Sequence, residues 1–337
     1  MAAELPKNNT PDLGLPSIKL NTGAEMPLFG LGTWLASVGE VRTAVTTALE
    51  AGYKAVDCAA GYGNEHEVGA ALEDCITRGV CKREDIFITS KLWAASAWPD
   101  LAMAALDKTL ADLKTPYLDL YLIHWPYLME KGFPTFPAPE EKRLGYDSER
   151  YLSVWKVLEE AVDAGKIRAI GTSNMTAKKM DDLLKGCRIK PAVNQVESHP
   201  FLTQDKLIKY CSKRGIVVTA FSPLGSPARP ARLVAEGDPT PLYDTTILAI
   251  ATKYNKTAAH VLIRWQIQRG VVVIPKSVTP VRIIDNGKVG DFSLTDEDMA
   301  AISSLNTNQR LNKGGSWTTA GQSWVELWDE DYEGIDA

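Results

Sequence analysis

Residues 54–92 read KAVDCAAGYGNEHEVGAALEDCITRGVCKREDIFITSKL, and this stretch contains the unit from which the fold is built. A short apolar run, KAVDC, is followed by the amphipathic stretch EVGAALEDCITRG, which ends on Gly79, and then by a second apolar run, IFITSKL. Short apolar runs indicate strands that are buried on both faces, and a glycine after an amphipathic stretch is typical of a helix C-terminus. The stretch therefore predicts a strand, a helix and a second strand.

The same alternation continues along the whole chain and predicts a parallel sheet with helices between its strands. It follows an antiparallel hairpin predicted over SIKLNTGAEMPL, with the turn at residues 21–23. Two further amphipathic stretches, VRTAVTTALEAG and YLSVWKVLEEAVDAG, end on Gly52 and Gly165. The eight apolar runs are LFGLGT (28–33), KAVDC (54–58), IFITSKL (86–92), LDLYLIHW (118–125), IRAIGTSN (167–174), AVNQVE (192–197), IVVTAFS (216–222) and VVVIPKS (271–277). Such a sheet is either open and doubly wound or closed, and a count of eight favours an α/β fold of the (β/α)8 TIM barrel type.

No stretch rich in proline and glycine divides the chain into halves. We therefore expect a single barrel domain over residues 17–337, after a flexible N-terminal extension over residues 1–16. Two long connections, residues 126–147 and 223–244, follow predicted strands and show no periodicity. Connections of this length are typical of lids, and these two are predicted to lie at the C-terminal face of the barrel.

The C-terminal tail, residues 306–337, combines two kinds of sequence. It contains Trp317, Trp324 and Trp328, which a fully solvated terminus would have no reason to keep, but it ends in the acidic sequence DEDYEGIDA. We expect its first part to be packed and its last residues to be frayed.

Composition excludes several classes of protein. The chain has 337 residues, of which 45% are hydrophobic and 23% are charged, as in an ordinary globular protein. A formal net charge of −5, without any long run of Lys or Arg, argues against nucleic-acid binding. The first residues lack the apolar core of a signal peptide, and no stretch reaches membrane-spanning length. We expect a soluble, cytoplasmic protein that does not bind membranes.

Cysteine and histidine usage gives no indication of a metal site. The five cysteines are odd in number and have no C-x-x-C spacing, so they predict neither a disulfide framework nor a zinc site and fit a reducing compartment. The four histidines include no H-x-H pattern, so no metal is expected. The cysteines are Cys58, Cys75, Cys81, Cys187 and Cys211.

Four polar residues follow the predicted strands at the barrel end where enzymes of this fold place their catalytic groups. Asp57, Lys91 and His124 lie at the ends of the second, third and fourth strands, and Tyr62 follows the second. Each alone has an ordinary explanation: Asp57 as a loop cap, Lys91 as a strand-end cation that reaches solvent, His124 as a hydrogen-bonded core residue. Barrel closure brings all four to one mouth, which favours a catalytic site.

The four side chains have complementary chemistry. A phenol with a pKa near ~10 is a poor proton donor at neutral pH unless a neighbouring cation stabilises its phenolate. Lys91 supplies that cation for Tyr62, and Asp57 supplies the carboxylate that a buried ammonium requires. His124 then orients a substrate oxygen or shares the proton. This arrangement predicts general acid catalysis on a carbonyl group.

The sequence resembles the aldo-keto reductase superfamily, and more closely its aldose reductase-like members. The resemblance runs from about residue 20 to residue 310 and implies a barrel with the tetrad Asp57, Tyr62, Lys91 and His124 and with NADPH bound across the strand ends. The matching segments are GLGTW (30–34), VDCAAGYGNEHEVG (56–69), ITSKLW (88–93), LYLIHWP (120–126), IGTSN (170–174), AVNQVESHP (192–200), FSPLGSP (221–227) and IPKSVTPVRIIDN (274–286).

The resemblance also implies how NADPH would be held. A Rossmann site is disfavoured, because GLGTWL lacks the third glycine of that fingerprint. In the family, residues matching Ser173, Asn174 and Gln195 hold the carboxamide, and an aromatic ring matching Phe221, more often tyrosine, stacks on the nicotinamide. The full set of expected cofactor contacts is Thr33, Trp34, Asp57, Ser173, Asn174, Gln195, Phe221, Ser222, Leu224, Ser226, Lys276, Ser277, Val278, Thr279, Arg282, Asp285 and Asn286.

The other end of the cofactor is expected to contact the segment after the eighth strand. Two cations and two hydroxyls lie within seven residues there and suit a 2′-phosphate, although a solvated helix start would explain the segment alone. Asp285 matches an adenine contact that is often glutamate. Ala228 lies where many relatives have an acid that latches the loop over the pyrophosphate, so cofactor release is expected to be faster here.

These features predict an NADPH-dependent aldo-keto reductase of the alcohol dehydrogenase (NADP+) type, which reduces aldehydes or ketones with Tyr62 as general acid and is a monomer or only weakly associated. The alternative is an NADP(H)-binding structural or regulatory protein on the same fold, like a lens crystallin or a channel subunit. A glycosidase using Asp57 and Glu197 is disfavoured, because Lys91 better explains Asp57. The expected substrate pocket, which does not identify the carbonyl compound, is lined by Trp34, Trp93, His124, Trp125 and Trp317.

Overall fold

The computed structural model describes residues 10–37 and 39–336 and confirms the (β/α)8 barrel. It begins with the predicted hairpin, in which β1 (Ser17–Lys19) pairs antiparallel with β2 (Glu25–Pro27). Asn21 Nδ2 in the turn donates to the Pro191 carbonyl, at a distance of 2.9 Å, just before one of the barrel strands. The hairpin therefore lies at the N-terminal end of the barrel, away from the predicted site.

All eight predicted strands are present, in chain order, in one parallel sheet. The sheet closes where Phe29 and Gly32 pair with Val273 and Lys276, and Gly30 N donates to the Val273 carbonyl (3.0 Å). The strands are β3 (Leu31–Gly32), β4 (Ala55–Asp57), β5 (Phe87–Leu92), β6 (Leu120–Ile123) and, after the separate ribbon of β7 (Tyr127–Met129) and β8 (Arg143–Tyr146), β9 (Ile170–Ser173), β10 (Val193–Glu197), β11 (Val217–Phe221) and β12 (Val272–Val273). Every residue of β4, β5, β6, β9 and β10 is buried, as expected for strands covered on both faces.

Helices surround the sheet and end where the sequence predicts. Gly52, Gly79 and Gly165 follow their helices with φ of 94°, 73° and 73°, a left-handed conformation that glycine adopts without strain. The helices are α1 (Glu40–Glu50), α2 (Glu65–Thr77), α3 (Pro99–Asp112), α4 (Ser148–Asp163), α5 (Ala177–Leu184), α6 (Asp205–Lys213), α7 (Thr245–Tyr254), α8 (Ala258–Gln268), α9 (Pro280–Asn286) and α10 (Asp296–Ser303). Within residues 10–37 and 39–336, no helix has the length and apolar character needed to cross a membrane.

The two long connections follow the carboxyl ends of β6 and β11 but have more internal structure than their sequences suggest. Residues 126–147 contain the antiparallel ribbon of β7 and β8. Residues 223–244 contain two short 3-10 turns, and an ion pair joins Arg229 to Asp238 (2.5 Å), whose side chains are only 8% and 5% exposed. Each connection is therefore stabilised by contacts within itself, a strand pairing in the first and an ion pair in the second. Such contacts leave no periodic pattern in the sequence.

Part of the expected flexible extension packs against the barrel. Thr10 Oγ1 donates to the Val80 carbonyl (2.6 Å), and Leu13 and Leu15 contact the hydrophobic core. Residues 10–16 are therefore held by burial of apolar side chains. The expectation for residues 1–9 lies outside the described residues.

The tail packs along more of its length than expected. Trp317 and Trp328 are buried and Trp324 is half-buried. The expectation of frayed last residues is wrong up to residue 336, because Tyr332 and Ile335 pack against the core and Tyr332 Oη donates to Asp181 Oδ2 (2.5 Å).

A buried ion pair anchors this tail to α5. Lys179 Nζ contacts Asp329 Oδ2 and donates to the Leu327 carbonyl (3.0 Å), and Thr176 Oγ1 donates to the same carboxylate (2.6 Å). The Lys179 side chain is 6% exposed and that of Asp329 is 13% exposed. Burial lowers the pKa of Lys179, although the hydrogen bond and the charge of Asp329 oppose that shift.

Replacing Asp329 with alanine is predicted to destabilise the protein strongly, because it leaves the buried Lys179 without its carboxylate. We expect Asp329→Ala to lower the free energy of unfolding by about 3–5 kcal/mol, as measured by urea denaturation. The control is Asp182→Ala, which breaks the more exposed pair with Lys185 on the same helix and should cost less than about 1 kcal/mol. Equal losses in the two variants would contradict the anchoring role.

Candidate active site

The carboxyl ends of the barrel strands surround a cavity of about 930 Å³. All expected cofactor-contacting and substrate-contacting residues line this cavity. Of the tetrad, Asp57, Tyr62 and His124 line it, whereas Lys91 is fully buried behind them. Eight strand ends, the two long connections and the tail therefore bring residues from Thr33 to Trp317 to one place.

The tetrad is held together by the ammonium group of Lys91. Lys91 Nζ donates to Asp57 Oδ2 (2.6 Å), to the Cys58 carbonyl (2.9 Å) and to Tyr62 Oη (3.0 Å). Asp57 Oδ1 accepts from Gln195 Nε2 (2.7 Å) on β10. Since β4 and β5 are neighbouring parallel strands, their pairing places the carboxylate beside the ammonium.

Three titratable groups of the tetrad have pKa values set by burial and by one another. Burial acts to lower the pKa of Lys91, but Asp57 and Tyr62 together outweigh it and raise that pKa, so the ammonium stays charged. Burial raises the pKa of Tyr62 to about 12, although Lys91 opposes the shift. Burial, together with Lys91, holds the pKa of His124 well below its usual range. At neutral pH the cavity therefore contains a protonated phenol and a neutral imidazole beside a buried cation.

His124 is packed between aromatic rings. Its ring meets those of Tyr62 and Trp93 edge to face, with centroids 5.6 Å and 5.3 Å away. Its Nδ1 is buried and has no hydrogen-bond partner among the described residues. The packing fixes the imidazole next to the phenol without any acidic partner, which suits orientation of a substrate better than transfer of a proton.

A group of amide and hydroxyl side chains lies beside the tetrad. Ser173 Oγ donates to the Gln195 carbonyl (2.9 Å), and Asn174 Nδ2 donates to the His124 carbonyl (3.0 Å). Asn174 Oδ1 is buried and has no partner within the described part of the chain. A free acceptor in this position fits the NH2 of a carboxamide. This part of the cavity therefore suits the nicotinamide end of the expected cofactor. The Phe221 ring lies nearby at the end of β11.

Residues 222–226 make a tight turn at the start of the second long connection. Ser222 and Ser226 have φ of 51° and 44°, and their hydroxyl oxygens lie 2.6 Å apart. Leu224 is half-buried against the core. Beyond them, the Arg229 guanidinium donates to the Gly225 carbonyl (3.1 Å) as well as to Asp238. The connection is thus held by its own ion pair, one residue from the exposed Ala228.

The segment after β12 lines the far end of the cavity. Lys276 Nζ donates to the Leu35 carbonyl (3.0 Å), and burial lowers its pKa. Ser277 Oγ accepts from the Thr279 backbone N–H (3.1 Å). Arg282 is exposed and has no ion pair among residues 10–37 and 39–336. Its guanidinium is therefore available to an anion.

Three remaining predicted contacts complete this end. The Asp285 carbonyl accepts from His260 Nε2 (2.7 Å), and its carboxylate lies 3.5 Å from Lys288 Nζ. Asn286 is buried, whereas Val278 is half-buried. The packing histidine His260 thus fixes the backbone that presents Asp285.

Aromatic side chains line the substrate end. Trp317 from the tail lies 5.7 Å from Trp93 and 5.0 Å from Trp125, measured between ring centroids. Trp34 lines the same cavity. Phe136, whose ring lies 4.9 Å from Trp317, belongs to the same wall but is not among the residues expected from the sequence. The length of the first long connection predicts a lid, but no pattern within it distinguishes this residue from its neighbours.

Glu197 is committed to a different role from the one a glycosidase would require. It is buried, and its carboxylate accepts from the backbone N–H groups of Leu311 (2.8 Å) and Asn312 (2.9 Å). His199 Nε2 lies 3.0 Å from the same carboxylate. Glu197 therefore fixes the start of the tail and does not line the cavity.

These features define a (β/α)8 barrel with a polar tetrad at the mouth of an aromatic cavity. The Aldo/keto reductase family model matches residues 29–307, and the chain belongs to this family. The family consists of oxidoreductases that act on small-molecule carbonyl substrates and generally use nicotinamide cofactors. The family resemblance seen in the sequence is thereby confirmed.

Curated relatives and a solved structure show how far the similarity extends. The chain is 50% identical over 298 residues to Aldo-keto reductase family 1 member A1 of Gallus gallus, covering 88% of this chain and 90% of the relative. It is 47% identical over 294 residues to the Homo sapiens protein of the same name, covering 87% and 90%. The aldose reductase from Schistosoma japonicum matches with a TM-score of 0.84 at 39% identity, covering 94% of this chain and 100% of that one.

Removing the buried ammonium is predicted to destabilise the barrel. Lys91→Met leaves Asp57 buried with Gln195 as its remaining side-chain partner, so we expect a loss of about 3–5 kcal/mol in the free energy of unfolding. The double variant Asp57→Asn/Lys91→Met should recover much of that loss, because neither charge is then buried alone. Urea denaturation of the wild type, both single variants and the double variant measures the coupling, and simple additivity of the two losses would contradict the ion-pair account.

Proposed function

We propose that this protein reduces aldehydes or ketones to alcohols with NADPH, and that Tyr62 is the general acid. The observation that carries the proposal is the contact of Tyr62 Oη with Lys91 Nζ (3.0 Å) at the mouth of the cavity. Membership of a family that acts on small-molecule carbonyl compounds supports it.

The residues around the cavity fit NADPH, which supplies the hydride when bound. Asn174 Oδ1 would accept from the carboxamide NH2, with Ser173 and Gln195 beside it. The Phe221 ring would stack on the nicotinamide, since stacking needs an aromatic face and not a hydroxyl group. Arg282 would bind the 2′-phosphate through its planar guanidinium.

The tetrad would move one proton to the substrate. Tyr62 is protonated at neutral pH, as a phenol ordinarily is, and burial favours this form further by raising its pKa to about 12. As the carbonyl oxygen gains negative charge, the phenol donates its proton to that oxygen, and Lys91 stabilises the phenolate that remains. The neutral His124 would donate a hydrogen bond to the same oxygen and orient it. Solvent then returns a proton to Tyr62.

Cavity composition and cysteine state support the remaining parts of the proposal. Trp93, Trp125, Phe136 and Trp317 form an apolar wall that suits carbonyl compounds with apolar substituents. One chain supplies every residue that the proposal uses, so a monomer would be sufficient for activity. The five cysteines are all free thiols, which fits the cytoplasm.

The proposal predicts that Tyr62→Phe loses carbonyl reduction but keeps NADPH. Removing the proton donor should lower kcat/KM for 4-nitrobenzaldehyde by about 100-fold or more, whereas the Kd for NADPH from fluorescence titration should not change. The control is Tyr243→Phe, which removes a phenol hydroxyl from an exposed residue of the same cavity. Retention of most activity by Tyr62→Phe would exclude this residue as the acid. NADPH binding by a wild type that reduces no carbonyl compound would favour the structural or regulatory alternative.

Cofactor selectivity is predicted to depend on Arg282. NADPH and NADH differ by one phosphate, and a charge-assisted hydrogen bond to it is worth about 1.5–3 kcal/mol, roughly tenfold or more in affinity. Arg282→Ala should weaken NADPH by at least that factor and leave NADH unchanged. Arg282→Lys should recover only part, because an ammonium lacks the planar fork. Titration of all three proteins with both cofactors tests this, and equal weakening of NADH and NADPH would mean that Arg282 does not contact the phosphate.

A further inference from the structure

A second buried carboxyl group lies directly behind the tetrad. Glu65 is the first residue of α2, three residues after Tyr62, and it is only 3% exposed. Its Oε2 accepts from Thr109 Oγ1 of α3 (3.0 Å), and its Oε1 is hydrogen-bonded to Ser90 Oγ of β5. Glu65 does not line the cavity, so substrate and cofactor do not reach it.

Ser90 connects this carboxyl group to the strand that carries Lys91. Consecutive residues of a strand point to opposite faces, so Ser90 faces the helices while Lys91 points into the barrel. The Lys91 backbone N–H also donates to Ser90 Oγ (2.6 Å). Glu65 therefore joins the chain just after Tyr62 to the strand residue next to Lys91.

We propose that Glu65 is a positioning residue for the proposed carbonyl reduction: through Ser90 it fixes the turn that carries Tyr62 against the strand that carries Lys91. The distance that Glu65 would maintain is the 3.0 Å between Tyr62 Oη and Lys91 Nζ. Tyr62 follows β4 in the short 3-10 turn Ala60–Tyr62, and Lys91 lies on β5. A misplacement of about 1 Å in such a contact can cost about 100-fold in rate, although the residue responsible is remote from the chemistry.

Four charged or titratable groups interact electrostatically with Glu65. They are Cys58 after β4, Lys91 on β5, Tyr121 on β6 and Asp112 on α3. Burial raises the pKa of Glu65 to about 7, and Asp112 adds to the shift, although the hydrogen bonds from Ser90 and Thr109 and the charge of Lys91 oppose it. The carboxyl group thus changes its charge near neutral pH, next to the ion pair on which Tyr62 depends.

The direction of the pH effect follows from the raised pKa. The folded protein binds the Glu65 proton more tightly than the unfolded chain, so this contribution to stability is full below the ordinary pKa of 4.5 and is lost as pH rises through about 7. The carboxylate formed above that pH adds negative charge behind Tyr62 and makes its proton harder to release. As pH rises, the activity and the stability of the wild type should therefore both fall relative to those of a variant in which residue 65 cannot ionise.

Three variants of the full chain test the proposal: Glu65→Ala, Glu65→Gln and the control Glu73→Ala, an exposed glutamate on the same helix. We expect Glu65→Ala to lower kcat about 100-fold without changing the Kd for NADPH, and Glu73→Ala to match the wild type. Glu65→Gln keeps an oxygen acceptor for Ser90 and should recover most of the rate. The ratio of the wild-type kcat to the Glu65→Gln kcat should fall as pH rises from 6 to 8.5. Over the same range, the Tm of the wild type should fall relative to the Tm of Glu65→Gln.

Crystal structures provide a measurement that does not depend on turnover. In Glu65→Ala we expect Tyr62 Oη to leave hydrogen-bond reach of Lys91 Nζ, whereas in Glu65→Gln the contact should remain. A lowered Tm in Glu65→Ala with unchanged kcat and an unchanged Tyr62–Lys91 distance would overturn the positioning role. A wild type without carbonyl reduction would refute the proposed function, and the crystallographic comparison would still decide whether Glu65 fixes the contact.

Discussion

The arrangement of this active-site candidate depends on the burial of one ammonium group inside the barrel. Lys91 Nζ has three N–H donors, and all three have acceptors: the Asp57 carboxylate, the Cys58 carbonyl and Tyr62 Oη. A buried charge is tolerated only when it is paired and fully hydrogen-bonded, so the protein must keep these acceptors in place. Asp57 is fixed in turn by Gln195, three strands away in the sheet order from β5. The ion pair therefore links opposite parts of the barrel wall.

Much of this could be predicted from the sequence, because the signals are local. The eight strands are apolar runs, the glycines that end α1, α2 and α4 follow amphipathic stretches, and the tetrad residues lie at or just after strand ends. Once the barrel is inferred, its geometry brings those ends together. The same reasoning could not find Phe136, the Lys179–Asp329 anchor or the Glu65–Ser90 contact. Each joins segments whose approach is decided by tertiary packing, and neither partner has a local pattern that distinguishes it.

The tail illustrates this limit. Its acidic end indicates a frayed terminus, and charge alone gives no reason to expect otherwise. In the fold, Asp329 neutralises a buried lysine and Glu197 accepts two backbone N–H groups at the start of the tail. Glu197 and Asp329 thus hold the tail at two points, one on each side of Trp317. Sequence composition describes the tail in water, whereas its structure depends on cations and donors elsewhere in the chain.

In the proposed reaction, burial has two opposing effects on Tyr62. The aromatic walls that exclude water raise the pKa of the phenol, which keeps the proton in place before substrate arrives. The same exclusion of water strengthens the attraction between Lys91 and any negative charge that develops on Tyr62 Oη. This attraction is weak while the phenol is neutral and large once the proton moves, so it stabilises the transition state more than the ground state. A high resting pKa is therefore compatible with an effective acid, provided that the contact between Lys91 and Tyr62 does not shift during the reaction.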